Sequence, residues 1–213
     1  MAFELKWFSK AQANLMGGES GADAFAVDYL TDTIKVMLTT SAYTPNLDTH
    51  ETKADVTNEV VGTGYTARGA TLGTKTITVT PADSWATVWV TLTAYVVGDV
   101  VRPTVGNGHL YKCIVAGTTA AGQPTWPTVA GQTVVDGTVT WAEAGRAITQ
   151  IDAADTTWPN STITARYCVG YKDTGTDGTS PLLFLGNFGS DQSTSNGTFQ
   201  ITWSSLGILV VFV

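Results

Sequence analysis

Residues 94–101 read Ala94-Tyr95-Val96-Val97-Gly98-Asp99-Val100-Val101, and three similar pieces follow. They are Gly108-His109-Leu110-Tyr111-Lys112-Cys113, Gly122-Gln123-Pro124-Thr125-Trp126-Pro127, and Asp136-Gly137-Thr138-Val139-Thr140-Trp141. Each is a short β-prone run bounded by Gly, Pro, Asn or Asp, the residues that make turns. One aromatic recurs per strand, so a small sheet can build its core from a few large rings. The same spacing can leave one or two rings on the surface for stacking on a sugar or a protein. The stretch therefore predicts a compact all-β module.

Working outward, the flanking runs Lys75–Thr80 and Ala147–Asp152 are both short and alternate apolar with polar residues, as half-buried strands do. If they pair, residues 84–146 replace the turn of their hairpin, a place where insertions are tolerated because the chain ends lie close together. The expected organisation is a discontinuous base domain, 1–83 plus 147–213, carrying an inserted module at 84–146. Trp85 and Trp89 would sit in the entry segment.

In the base, residues 1–16 predict a short helix or an irregular arm, anchored by Phe3, Trp7 and Phe8 and stopped by Gly17-Gly18. Strands are expected at 33–39, 163–171, 182–188, 198–203 and 208–213, the last buried and completing the base sheet. A short helix is expected near 53–56, turns at 41–46, 155–160 and 189–197, and an exposed loop at 173–180. The fold class is mainly β: an antiparallel β-sandwich-like base with a short N-terminal helix or arm, and a small inserted β-module.

The 213 residues are 43% hydrophobic but only 14% charged, so hydroxyl-bearing and small residues must cover much of the surface. The net charge is −7, with no cluster of Lys and Arg, which argues against nucleic acid as a partner. No run approaches the roughly 20 apolar residues of a membrane span, so membrane insertion is not expected. The start lacks the basic and apolar regions of a secretory signal, so synthesis in the cytoplasm is expected.

Cys113 and Cys168 fall in different proposed domains and belong to no Cys-x-x-Cys pair; two free thiols are the simpler reading, a disulfide the other. The two histidines, His50 and His109, lack metal-ligand partners at helix or strand spacing. No nucleophile elbow or phosphate-binding loop occurs. Asp99 and Asp136 read as turn formers beside Gly98 and Gly137, not as a glycosidase pair with Glu143. Neither enzyme activity, metal nor cofactor is expected. The candidate ligand-binding residues, for a glycan, are Trp126, Tyr111, Trp141 and Tyr95. Tyr111 and Trp141 lie in alternating strands, where a core role competes with binding. Trp126 is held between Pro124 and Pro127, where a surface role is open.

The order Tyr, Gly-Asp, Tyr, Pro, Trp in the module resembles small chitin- and cellulose-binding modules of bacterial hydrolases, and aromatic modules of tailed-phage virion proteins. The base resembles a family of tailed-phage virion structural proteins. The residues that carry this are Phe3–Leu15, Asp32–Leu38, Ser41–Pro45, Asp48–His50, Asp55–Val60, Gly62–Thr66, Ser161–Tyr167 and Asp191–Phe199. The resemblance implies a capsid-decoration or head-fibre protein on the virion surface, bound to the major capsid protein or other virion proteins, with the module facing outward. It also implies a homo-oligomer, with a trimer favoured. The alternative is a tail-associated adsorption protein that binds host surface polysaccharide.

Overall fold

The computed structural model describes residues 4–17, 25–205 and 207–212. Phe3, Gly18 and Val213, which figure in the sequence reading, lie outside them. Strand accounts for 46% of the chain and helix for 8%, so the fold is mainly β and sandwich-like in class. The chain divides into two compact units, 1–76 with 153–205, and 77–152 with 206–213. The sequence reading cut at 83/84 and 146/147 and left the C-terminus in the base.

The first unit is built on one antiparallel hairpin of long strands, β13 (Thr156–Lys172) and β14 (Leu182–Ile201). Strands β1 (Glu4–Trp7), β2 (Ile34–Thr39) and β3 (Ala70–Thr71) complete a five-stranded sheet in the order β1-β14-β13-β2-β3. The turns expected at 155–160 and 189–197 are instead irregularities within these strands. Asn160 and Asn196 take up the left-handed backbone, φ 51° each, which asparagine tolerates better than most residues. The register shifts there, between Trp158 and Ser161 and again before Ile163, bend the ribbon without ending it.

Strand β2 is more deeply set than its alternating pattern suggests. Only Lys35 is partly exposed, while Ile34 and Val36–Thr39 are buried. A central strand covered on both faces loses the polar face that alternation implies. The arm resolves into β1 followed by a five-residue helix, α1 (Ala11–Leu15), and the expected helix near 53–56 is one 3-10 turn, Lys53–Asp55.

The loop at 173–180 is largely exposed, as read, and is tied down by ion pairs. Arg68 bridges Asp173 and Asp177, Lys35 reaches Asp173 at 2.7 Å, and the buried Lys53 reaches Asp177 at 3.1 Å. Burial by itself would raise the Asp173 carboxyl, but hydrogen bonds from Arg68 and Lys35 outweigh it and hold the group well below the usual carboxylate range. Asp177 is lowered in the same way by Lys53 and Arg68. A carboxylate depressed in the folded state stabilises above its unfolded pKa, and that stability is lost as pH falls through the folded value. Urea melts should therefore show stability falling as pH drops below about 4, and Asp173→Asn should flatten that slope. An unchanged slope in the variant would remove the network from the account.

The second unit holds three sheets. Strands β10 (Thr133–Asp136), β11 (Val139–Glu143), β8 (Tyr111–Val115), β7 (Val100–Arg102) and β5 (Thr87–Val88) form one, in that order, with only β5 and β7 parallel. Strands β6 (Ala94–Tyr95) and β9 (Gly117–Thr118) form a two-stranded ribbon. The third sheet is β15-β12-β4, made by Leu209–Phe212, Ala147–Asp152 and Thr76–Pro81. The flanking runs thus do become hydrogen-bonded neighbours. The final strand pairs with β12, Ile148 opposite Phe212, and does not complete the base sheet; it is half-buried. The reason is local packing: Val210 and Phe212 lie against Ala82, Leu110 and Ile148, with Trp85 edge-on to Phe212.

Candidate functional site

The four candidate aromatics gather around one cluster. Trp89, Val101, Tyr111, Cys113, Val139 and Trp141 form its buried centre, and Tyr95, Trp126 and Val134 pack against it half-buried. Tyr111 and Trp141 are fully buried. They point to the same side of the sheet because Cys113 pairs with Trp141 and Tyr111 with Glu143 across β8 and β11. A fully buried ring offers no face to a sugar, so these two are core. Trp89, read as an entry residue, is core as well.

Trp126 lies over Tyr111 with ring centroids 4.2 Å apart, and 6.0 Å from Trp141. Tyr95 meets Trp141 edge-on at 5.0 Å. The loop carrying Trp126 is fixed at both ends: Gln123 accepts hydrogen bonds from the Thr104 backbone N–H and hydroxyl, and the Tyr111 hydroxyl donates to the Pro127 carbonyl. Trp126 is therefore a pre-ordered, half-buried ring on an aromatic floor, its indole nitrogen buried without a hydrogen-bond partner. Its replacement by alanine should cost about 2 kcal/mol, less than a fully buried tryptophan because part of its surface is already wet. Thermal melts check this. An unchanged melting temperature would mean that the ring does not pack as described.

Beneath the rings sits a group that sequence reasoning took only for a turn former. Asp136 opens the tight connection between β10 and β11, where Gly137 has φ 65°. Its carboxylate is also buried and accepts from three donors: the indole N–H of Trp89 at 2.7 Å, that of Trp141 at 3.1 Å, and the Ala120 backbone N–H at 2.9 Å. One anion thus fixes two tryptophans and a loop. Asp99 is the plainer case: it accepts from the Val96 N–H and closes the turn at Gly98, φ 104°.

Next to the cluster lies a cavity of about 540 Å³, lined by His109, Thr128, Ala130, Gly131, Glu143, Ala144, Gly145, Arg146 and Phe212. His109 Nδ1 and Glu143 Oε1 are 2.7 Å apart, both side chains being buried, and the Gly145 N–H donates to the same oxygen at 3.0 Å. Glu143 Oε2 is buried and has no hydrogen-bond partner in the protein. The pair is separated by 34 residues in sequence, so no local motif signals it.

Cys113 and Cys168 are free and buried. Burial raises both thiols, Cys168 to about 12, which keeps them protonated and poor nucleophiles. Among the described residues no group of three or more His, Cys, Asp or Glu could hold a metal ion, and no helix is long and apolar enough to cross a membrane. Comparison of the chain with protein-family models, curated proteins and solved structures finds no match.

Proposed function

We propose that the protein is a non-enzymatic structural component of a tailed-phage virion, a capsid-decoration or head-fibre protein that attaches to the shell through its base unit and displays the second unit outward. Attachment through the base rests on the resemblance of its sequence, and the observation that supports association between copies is the unequal distribution of exposed apolar side chains. Val90, Leu92, Val96, Val97, Val105 and Val135 are exposed in the second unit, along with further valines and isoleucines, while the described base residues expose only Met16, Leu30 and Val61 among large hydrophobics. Where such side chains adjoin they suit contact between copies through the second unit, and a homo-oligomer, a trimer first, closes such contacts into a ring. The partners are the major capsid protein or other virion proteins. The resemblance of the base sequence to virion structural proteins supports the same reading.

The second reading is a tail-associated adsorption protein that binds host polysaccharide, favoured by the half-buried Trp126 on its fixed loop. Gold-labelled antibody against the chain, applied to intact virions, separates them. Label on the head supports decoration, and label on the tail supports adsorption. Virions that carry no label, from lysates that contain the protein, would defeat both.

A further inference from the structure

We infer that strand β4 (Thr76–Pro81) is a pairing edge whose occupant is the same strand of a second copy of this chain, set antiparallel and two-fold symmetric about Thr78. β4 is an end strand of the sheet β15-β12-β4, and among the described residues no strand lies on its other side. All of its residues but Thr80 are exposed, Ile77 at 43% and Val79 at 61%. Its run Thr-Ile-Thr-Val-Thr carries no charge and is β-branched throughout, the composition that favours strands. Folded proteins ordinarily blunt such an edge with charge, brevity or cover. Most other sheet edges here follow that rule: β1 carries Glu4 and Lys6, β3 and β5 are two residues long, and β15 is half-buried along its length.

What fits the edge is written in the strand itself. Residues 76–80 read nearly the same in both directions. Set antiparallel about Thr78, Thr76 meets Thr80 of the second copy, Ile77 meets Val79, and Thr78 meets its own counterpart. The Ile and Val of both copies then gather on one face and the threonines on the other, with no charge opposite a charge. The backbone agrees. The Ala82 N–H donates to the Arg146 carbonyl, next to β12. Successive strand residues turn their N–H and C=O to opposite sides, so Thr78 and Thr80 turn toward β12. Ile77 and Val79 turn outward and can exchange both hydrogen bonds with Val79 and Ile77 of the second copy. Pro81 falls on the outward side as well, where it removes no bond to β12 and stops the new ladder after Thr80. Lys75 bounds the other end, its ammonium held by the Asp32 carbonyl oxygen. So short a ladder buries less than the roughly 1,200 Å² of a stable complex; the pair is weak alone and gains from many copies held on one surface. The inference deepens, and rests on, the reading that copies associate through the second unit. Being two-fold, the pair gives a dimer, or joins one ring to another where other contacts close rings.

The test is sedimentation velocity of the intact protein over micromolar to millimolar concentrations, joined to cysteine cross-linking under a mild oxidant. Association that rises with concentration is expected. Thr78→Cys should cross-link to itself, because in this register the two positions form a non-hydrogen-bonded pair with Cα atoms about 4.5 Å apart, within reach of a disulfide. Thr76→Cys faces Thr80 and not its own counterpart, so it should cross-link about tenfold more slowly or less. The native Cys113 and Cys168 are buried and do not compete. Val79→Lys should weaken the association about tenfold or more. Mixing Ile77→Lys with Val79→Glu should restore it, since the register sets those two side chains opposite each other. Equal cross-linking of the two cysteine variants, or association that survives Val79→Lys, would overturn the strand pair and leave association through the other exposed valines standing. A protein monomeric at every concentration would overturn both.

Discussion

Replacing Asp136 with alanine is expected to destabilise the second unit by about 3–5 kcal/mol, among the largest effects of any single substitution in the chain. The side chain is 2% exposed and carries the hydrogen bonds of Trp89, Trp141 and the Ala120 N–H. Removing it strands two buried indole donors and one backbone donor, and each buried orphan costs about 1–3 kcal/mol. Asp136→Asn should be milder, about 2 kcal/mol, because one carbonyl oxygen remains, yet its amide turns a donor toward donors. Urea denaturation followed by tryptophan fluorescence gives the size of the loss, and amide hydrogen exchange places it in residues 77–152. A loss below about 1 kcal/mol for the alanine variant would mean that the indoles find other acceptors and that Asp136 is a turn residue alone.

Gly69→Ala is expected to damage the first unit comparably, by about 3 kcal/mol or more. Gly69 has φ 75°, a conformation that costs an alanine energy before any contact is considered. A Cβ there would also run into the Val36 carbonyl oxygen and come within 2.6 Å of Met37 Cα. Both atoms belong to the backbone of β2, the strand with buried residues on both faces, so neither can move aside cheaply. The close approach is what brings Ala70 and Thr71 into register with Val36 and Lys35. Hydrogen exchange should speed up in β2 and β3 first. A variant as stable as the parent would show that β3 can detach without cost and that the sheet ends at β2.

The parts of this fold that were legible in the sequence are those written in local periodicity and turn chemistry. The strands around Tyr111 and Trp141, the Gly98-Asp99 and Asp136-Gly137 turns, and the neighbouring runs at 75–80 and 147–152 all carry their signal within a few residues. The failures have a common cause. Asn160, Gly189 and Asn196 look like turn residues, but inside a long hairpin the same backbone freedom bends the ribbon, and pairing across it carries the strands on. The C-terminal strand is apolar wherever it docks, so its composition could not say that Ile148 and not the base sheet would be its partner. The ion network of Arg68, Asp173 and Asp177 spans more than 100 residues of sequence, and His109 meets Glu143 across 34. No window on the chain can contain such pairs. Within the candidate site, the sequence singled out four aromatics that share one cluster but could not sort floor from rim: Tyr111 and Trp141 are floor, while Tyr95 and Trp126 are rim.

The most direct measurement of the central claim is sedimentation of the purified full-length protein with virion shells stripped of their accessory proteins, quantified as copies per shell at rising concentration. A shell-decorating protein should bind to saturation at a copy number that divides evenly among the symmetry-related positions of the shell, and should do so as a small oligomer by native mass spectrometry. A protein that stays monomeric and remains in the supernatant at every concentration would contradict the account.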